Sequence, residues 1–105
     1  MYRPLPLSVT IGPSRIEGLG LIAIDDIEEG TSLGISHIYD QRFENNWIRT
    51  PLGGFINHSD NPNCVKMKDL LSNFYHLIAS EDIKMGEELT VTYTLYNIGE
   101  DGNWL

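Results

Sequence analysis

Apolar and polar residues alternate along much of the chain, which is the pattern of β-strands with one buried face. The segment LTVTY at residues 89–93 shows it most clearly, because Leu89, Val91 and Tyr93 would point to one side and two threonines to the other. With β-branched content, the same pattern predicts strands at about 7–11, 21–24, 32–38, 64–68, 74–79 and 88–93. Short, closely spaced strands with many turns predict a mostly β fold of small sheets.

One segment of some length, DQRFENNWIR at residues 40–49, has a helical pattern. Phe43 and Trp47 are four residues apart and would share one helix face. Asp40 would cap the helix at its N-terminus, and Pro51 would stop it soon after its end. We therefore expect one short helix in an otherwise β-rich chain.

Two stretches of the sequence are similar to one another. AIDDIEEGTSL at residues 23–33 and ASEDIKMGEEL at residues 79–89 align without gaps and share Ala, Asp, Ile, Gly and Leu. In each, a strand would end in acidic residues, an isoleucine would be buried and a glycine would turn the chain. They are either two copies of one unit packed about a shared core or a coincidence of turn residues. The sequence leaves both interpretations open.

Length and composition suit one folded domain covering residues 1–105. The chain has 105 residues, of which 41% are hydrophobic and 10% aromatic, and this is too apolar for disorder. No apolar run is long enough to cross a bilayer, and the first residues, MYRPLPLSVTIG, lack the pattern of a signal peptide. We expect a soluble intracellular protein without a membrane partner.

The chain is acidic, with 15 Asp and Glu residues, 7 Lys and Arg residues and a formal net charge of −8. Direct binding to nucleic acid, which depends on Lys and Arg at phosphates, is therefore not expected. Acidic residues cluster near 25–29 and 81–88, and such clusters can steer a basic partner towards the protein. Solubility alone is the other explanation for the charge.

The segment GGFINHSDNPNC at residues 53–64 concentrates His, Cys, Ser and Asn. A metal site is not expected, because His58 and Cys64 are six residues apart and the chain has no CxxC or HxxxH pair. A hydrolase is not expected either: His58 and Ser59 would point to opposite faces of a strand, and no GxSxG motif is present. A lone cysteine is more often a small buried hydrophobe than a nucleophile. From its residues alone, the segment is an ordinary loop or a loop shaped around a ligand.

Three segments resemble the signature segments of the SET-domain protein methyltransferases, in the same order. They are GLGLIA at 18–23, FINHSDNPNC at 55–64 and GEELTVTY at 86–93. The resemblance covers about residues 14–93, and in size the chain is similar to the minimal SET domains of some viruses. It implies a β-clip fold of several small sheets with little helix, in which the C-terminal segment passes through a loop as a pseudoknot. Residues 94–105 would be a short tail without zinc-binding cysteines.

The resemblance also implies a reaction, the transfer of a methyl group from S-adenosylmethionine (SAM) to the ε-amine of lysine in a basic protein. The partner would be a protein or peptide such as a histone tail, and no metal is implied. Tyr93 would be the catalytic residue at the methyl-transfer channel, and Tyr39 and Tyr96 are candidates for the channel wall. The residues implied to bind SAM are Glu17, Gly18, Leu19, Gly20, Asn57, His58, Tyr93 and Trp104.

Members of that set would bind in different ways. The glycines would let the backbone approach the ligand closely. Asn57 would hold SAM through its side-chain amide and His58 mainly through its backbone, so the imidazole would not be a general base. The sequence departs from the commonest family pattern at Gly54, Asp60 and Val91, where Arg, Cys and often an aromatic residue are found.

A function of a different class stays open, a non-catalytic SET-fold module that binds a peptide or SAM. A homodimer is a further expectation, because so small a domain can complete its site or its core with a second copy.

Overall fold

Two four-stranded sheets form the fold in the residues that the structure, a computed structural model, describes, namely 5–42, 47–68 and 74–92. The elements in chain order are β1 Val9–Pro13, β2 Leu19–Ala23, β3 Ser32–Tyr39, β4 Trp47–Arg49, α1 Pro51–Phe55, β5 Asn57–His58, β6 Cys64–Lys68, β7 Phe74–Ala79 and β8 Glu88–Val91. The first sheet has the order β1-β2-β8-β5 and the second has the order β4-β3-β7-β6. The predicted class, mostly β with small sheets and little helix, is confirmed for these residues.

The first sheet joins distant parts of the sequence. β1 and β2 form an antiparallel hairpin, and β8 continues the sheet antiparallel to β2. β5 then pairs with β8 in parallel, with Asn57 opposite Thr90 and His58 opposite Val91. Parallel neighbours are joined by a long stretch of chain. The pairing places the Asn-rich segment beside β8, the last strand that the structure describes.

In the second sheet β3 lies between two antiparallel partners, β4 and β7, and β7 also pairs with β6. The β3–β7 ladder shifts register between Ser32 and Gly34 and again between Ile35 and His37. Gly34 has a φ of 118°, which a residue with a side chain rarely adopts. Such irregularities bend the strand and increase its twist.

One aliphatic core holds the two sheets together. Its largest fully buried side chains include Leu21 and Leu89 from the first sheet, Leu77 from the second sheet, and Ile83 from the loop before β8. Burying a side chain of this size stabilises a fold by about 1.5–3 kcal/mol. Packing across the two sheets therefore supplies much of the driving force for folding.

The two similar stretches of sequence pack against each other through reciprocal hydrogen bonds. Ile27 and Ile83 exchange both of their backbone bonds, each with an N···O distance of 2.8 Å. Three further pairs of bonds join equivalent positions of the two stretches. The backbone bonds from Gly30 N to Ala79 O and from Ala79 N to Thr31 O correspond to those from Gly86 N to Ala23 O and from Ala23 N to Glu87 O. The bond from Glu29 N to Asp82 Oδ1 corresponds to the bond from Met85 N to Asp26 Oδ1. In each pair the two stretches exchange roles, so they are two copies of one unit about a pseudo-two-fold axis.

The predicted helix at residues 40–49 is wrong. Trp47–Arg49 is strand β4, which pairs with β3. The Asp40 carboxylate does not cap a helix; it accepts hydrogen bonds from the backbone N of Arg42 at 3.0 Å and from its guanidinium at 2.7 Å. Phe43, the other half of the proposed apolar pair, lies outside the described residues.

Helix α1 begins at the proline that was expected to end a helix. Pro51 occupies the start of α1, where its missing N–H and fixed φ are no disadvantage. The preceding Thr50 caps the helix, since its hydroxyl accepts a bond from the Gly53 N at 3.4 Å. Within the described ranges, no helix is long and apolar enough to cross a membrane.

The C-terminal residues 93–105 lie outside the described part of the chain. The pseudoknot therefore stays a prediction, as does a single domain over residues 1–105.

Candidate functional site

A tight turn between β1 and β2 forms one wall of the candidate site. The Ser14 N donates to the Gly18 O at 2.9 Å, and Gly18 has a φ of 53°, a left-handed conformation that glycine adopts at little cost. The Ser14 hydroxyl oxygen accepts bonds from the backbone N of Ile16 at 2.8 Å and of Glu17 at 3.2 Å. Ser14 thus fixes the backbone path of the segment that was predicted to contact SAM.

The Asn57 side chain connects β5 to this turn. Its Nδ2 lies 3.2 Å from the Glu17 O and 3.3 Å from the Leu19 O. It also lies 3.0 Å from the Ser14 Oγ and 2.9 Å from the Glu88 Oε2. An amide nitrogen has two hydrogens, so these four acceptors share two donors. Asn57 is therefore held in place by the segments that were predicted to bind SAM together with it.

Glu88, the first residue of β8, completes the cluster. The Ser14 Oγ lies 2.8 Å from each of its carboxylate oxygens, and one of those oxygens also accepts from Asn57. Sequence reasoning used Glu88 only as part of a motif and gave no role to Ser14. Glu88 lies in a signature segment and Ser14 four residues before one, but the two residues are 74 positions apart, so their pairing could not be read from the local sequence.

Gly20 has a structural role in addition to the SAM contact predicted for it. A Cβ on this residue would collide with the Glu88 carboxylate and would lie about 3.1 Å from the Asn57 Nδ2. Its missing side chain therefore makes room for the Asn57–Glu88 hydrogen bond. A close approach of SAM to Gly20 stays a prediction.

The exposed part of the turn offers backbone groups to a ligand. Glu17 and Gly18 are exposed, and Leu19 is 53% exposed. The carbonyl oxygens of Glu17 and Leu19 point towards the Asn57 amide. Binding of SAM through the backbone of this turn stays a prediction.

The His58 imidazole points towards solvent rather than into the fold. Its Nε2 lies 2.9 Å from the Asp60 Oδ1, a carboxylate that is fully exposed. Its backbone, in contrast, is part of the parallel pairing with β8. That His58 acts on a cofactor through its backbone stays a prediction.

Asn63 fastens the Asn-rich turn to β8. Its Oδ1 accepts from the Thr90 N at 2.8 Å and its Nδ2 donates to the Glu88 O at 2.9 Å, so the side chain pairs with β8 as a neighbouring strand would. The Thr92 Oγ1 donates to the Ser59 O at 2.8 Å and extends the attachment. The sequence indicated a loop here, but not that Asn63 holds the strand that leads to Tyr93.

A cleft of about 610 Å³ opens on the outer face of the first sheet beside the cluster. Its walls include Gly12, Arg15, Ile22 and Glu88. Of the predicted SAM residues that the structure describes, none lines the cleft. Glu88 is the residue that the cleft shares with the cluster, and the cleft is not the predicted SAM site.

The donors and acceptors present fit SAM. Carbonyl oxygens and an amide suit the ammonium and hydroxyl groups of such a ligand, and the backbone of an exposed turn with a left-handed glycine can come close to it. The described residues would hold SAM through the turn at 17–19 and through Asn57 and His58.

The remaining predicted site residues divide between the second sheet and the undescribed part of the chain. Tyr39 ends β3 and is half-buried, opposite Trp47 of β4. Tyr93, Tyr96 and Trp104 lie outside the described residues. Their roles stay predictions.

Cys64 is a core residue in this structure. It is 1% exposed, and burial raises the pKa of its thiol to about 12, so at neutral pH it is protonated and a poor nucleophile. Across residues 5–42, 47–68 and 74–92, no three His, Cys, Asp or Glu side chains come together as a metal site.

A sequence model of the SET domain matches residues 35–94. No curated protein sequence matches the chain significantly, whereas solved structures do. A Plasmodium falciparum protein described as a candidate histone methyltransferase aligns with a TM-score of 0.67 and 22% identity, over 83% of this chain and 93% of that one. The methyltransferase domain of human PR domain-containing protein 2 gives 0.65 and 19%, over 92% and 81%. A humanized mutant of the Chaetomium thermophilum Polycomb Repressive Complex 2, bound to an inhibitor, gives 0.65 and 27%, over 81% of this chain and 14% of that one.

Proposed function

Since this chain belongs to the SET-domain family, we propose that it is a protein-lysine N-methyltransferase that uses SAM as the methyl donor. The observation that carries the proposal is the parallel pairing of β5 with β8. It brings Asn57 and His58 beside the strand that ends two residues before Tyr93, and the Asn57 amide reaches the turn at 14–19. Three signature segments that are far apart in sequence thus lie together, which supports one shared site for them.

In this proposal the described residues hold the donor. The backbone at Glu17, Gly18 and Leu19 contacts its methionine and ribose end, where the Asn57 amide also lies. The His58 backbone binds its adenine. Gly20 and Trp104 complete the set, with Trp104 covering the donor from the C-terminal side.

When bound, SAM supplies a methyl group on a cationic sulfur. The protein aligns the lysine nitrogen with that methyl in a narrow channel, where alignment itself accelerates the reaction. The nitrogen forms the new N–C bond as the S–C bond breaks, sulfur keeps the electron pair, and the methylated ammonium loses a proton to water.

Tyr93 is the proposed catalytic residue. Its hydroxyl and nearby carbonyl oxygens would surround the polarised methyl with weak C–H···O contacts. Tyr39 and Tyr96 would line the channel. A channel that excludes water lowers the pKa of the incoming lysine, as does a nearby positive charge, so the amine arrives neutral and no carboxylate base is needed.

A basic protein, with a histone tail as the first candidate, is the proposed substrate. The net charge of −8 favours encounter with a basic peptide. A structural relative that aligns over most of its own length is described as a candidate histone methyltransferase, which supports the same class of substrate.

Replacing Tyr93 with Phe tests the proposal. The change removes one hydroxyl, so we expect turnover to fall by about tenfold or more, the loss of one strengthened polar contact in the transition state, while SAM affinity stays within about threefold. The measurement is transfer of labelled methyl from SAM to a panel of core histones and other basic proteins, with SAM affinity from calorimetry.

The wild-type protein separates the proposal from its alternative. Measurable SAM affinity with no methyl transfer to any substrate would favour a non-catalytic SET-fold binding module. Absence of SAM affinity would contradict the methyltransferase and the SAM-binding form of that module.

A further inference from the structure

The side chains of Ser14, Asn57 and Glu88 form one hydrogen-bonded cluster in the space above Gly20. The cluster is partly buried and joins the β1–β2 turn, β5 and β8. The proposed function assigns SAM binding to Asn57 and Gly20 but assigns nothing to Ser14 or Glu88.

The Asn57 amide can face this cluster in only one orientation. Its Nδ2 lies 2.9 Å from a carboxylate oxygen of Glu88 and 3.2–3.3 Å from two backbone carbonyl oxygens. None of these three oxygens carries a hydrogen. Turning the amide over would place Oδ1 against three acceptors and leave the NH₂ group without them. Nδ2 therefore points into the cluster, and the opposite edge of the amide presents an acceptor, Oδ1.

Ser14 fixes the carboxylate that determines this orientation. Its oxygen accepts bonds from two backbone N–H groups of the turn, which leaves its own proton for Glu88. Each of the two carboxylate oxygens lies 2.8 Å from the Ser14 Oγ, so either can accept its bond. The backbone of the turn therefore orients the Ser14 hydroxyl, the hydroxyl orients the Glu88 carboxylate, and the carboxylate orients the Asn57 amide.

We propose that Ser14 and Glu88 are positioning residues, which hold the Asn57 amide with Oδ1 towards the cofactor and thereby set the affinity for it. A ligand then meets a hydrogen-bond acceptor at this point and is favoured if it offers a donor. The inference rests on the proposed role of Asn57 in SAM binding and adds two residues to it.

The first test compares two neighbouring glutamates by calorimetric titration with S-adenosylhomocysteine, the product form of the cofactor. Glu88→Ala should weaken binding by at least about tenfold, the loss expected for one hydrogen bond to a charged group. Glu88→Gln should stay within about threefold, because the Gln side-chain oxygen can still accept from both Asn57 and Ser14, as one carboxylate oxygen of Glu88 does. The control is Glu87→Ala. The Glu87 carboxylate accepts from the Lys84 N in a turn and is not part of the cluster, so this variant should bind S-adenosylhomocysteine within about twofold of wild type.

The second test is a rescue that a merely structural role would not produce. Asn57→Asp places a carboxylate against Glu88 and should weaken binding by about tenfold or more through like-charge repulsion. In the double variant Asn57→Asp with Glu88→Gln, the Gln amide can donate to the Asp, which again presents an oxygen to the ligand. We expect part of the lost affinity to return, because the repulsion from residue 88 is removed while the carbonyl oxygens of Glu17 and Leu19 still face the Asp. The KM for SAM should follow the affinity.

The outcomes separate the inference from the proposed function. If wild type does not bind S-adenosylhomocysteine, the proposed function fails and the inference fails with it. If wild type binds, but the double variant loses as much affinity as the two single substitutions together, the inference alone is overturned. Equal affinities for Glu88→Ala and Glu87→Ala would overturn it as well. Should Glu88→Ala not fold, the Gln and double variants, which keep the size of the side chains, decide the question.

Discussion

At the scale of single residues, His37 is the clearest buried titratable group. It is 3% exposed in β3, and its Nδ1 lies 3.0 Å from the Ser36 Oγ. Burial, together with the positive charges of Lys66 and Arg49, lowers the pKa of its imidazole from 6.5 to about 4. The ring is therefore neutral in the folded protein at physiological pH.

This burial predicts that acid destabilises the fold. In the unfolded chain a histidine takes up its proton near pH 6.5, whereas folded His37 resists protonation until about pH 4. Its contribution to stability is thus complete above pH 6.5 and is lost as the pH falls from 6.5 to 4, by up to about 3 kcal/mol. Urea unfolding at several pH values measures the loss, and an NMR titration of the His37 ring checks its cause. A ring that titrates near pH 6.5 in the folded protein would contradict the prediction.

The same scale explains which site residues could be predicted from sequence. Asn57, His58 and the glycines stand in recognisable segments, so the resemblance identified them. Glu88 stands in such a segment too, and Ser14 lies four residues before one, but their function depends on a contact across 74 residues. Nothing in the local sequence distinguishes Glu88 from its exposed neighbour Glu87. The fold makes that distinction, because it places the Glu88 carboxylate over Gly20.

At the scale of elements, helix α1 contains two adjacent glycines in very different surroundings. A Cβ on Gly53 would collide with the Ser36 carbonyl oxygen and would lie about 2.9 Å from the His37 Cε1. A Cβ on Gly54 would meet nothing within 4 Å. α1 therefore packs on β3 through a position that tolerates no side chain.

We expect Gly53→Ala to destabilise the protein by about 1–3 kcal/mol, because the new methyl must displace backbone. Gly54→Ala serves as the matched control and should be neutral or stabilising by up to about 1 kcal/mol, since alanine suits a helix better than glycine. Urea unfolding of both variants measures the difference. Equal effects would show that α1 does not approach β3 as closely as described.

The strands were predictable where they were long enough to show alternation. The predictions at 64–68 and 74–79 agree with β6 and β7, and other strand ends differ by a few residues. β4 and β5 were missed because three and two residues cannot show a period. The helix at 40–49 was predicted from a spacing of aromatic residues, but pairing with β3 overrides that preference at Trp47–Arg49.

At the scale of the whole molecule, the internal repeat was visible in the sequence as five shared residues, but its meaning was not. Only the structure shows that the two copies exchange equivalent hydrogen bonds around Ile27 and Ile83. Identity of residue types can reveal a repeated unit, whereas the way two copies pack depends on contacts that are distant in sequence.

That reciprocal pairing has a consequence for exchange kinetics. The amide hydrogens of Ile27 and Ile83 each bond to the other's carbonyl, and both residues are buried. Neither amide can meet solvent until the two copies separate, and that separation opens the core between the sheets. In deuterated water the two hydrogens should therefore exchange at one common rate, among the slowest in the protein and close to that set by global unfolding. Rates that differ by more than about tenfold, read residue by residue by NMR, would mean that one copy opens without the other.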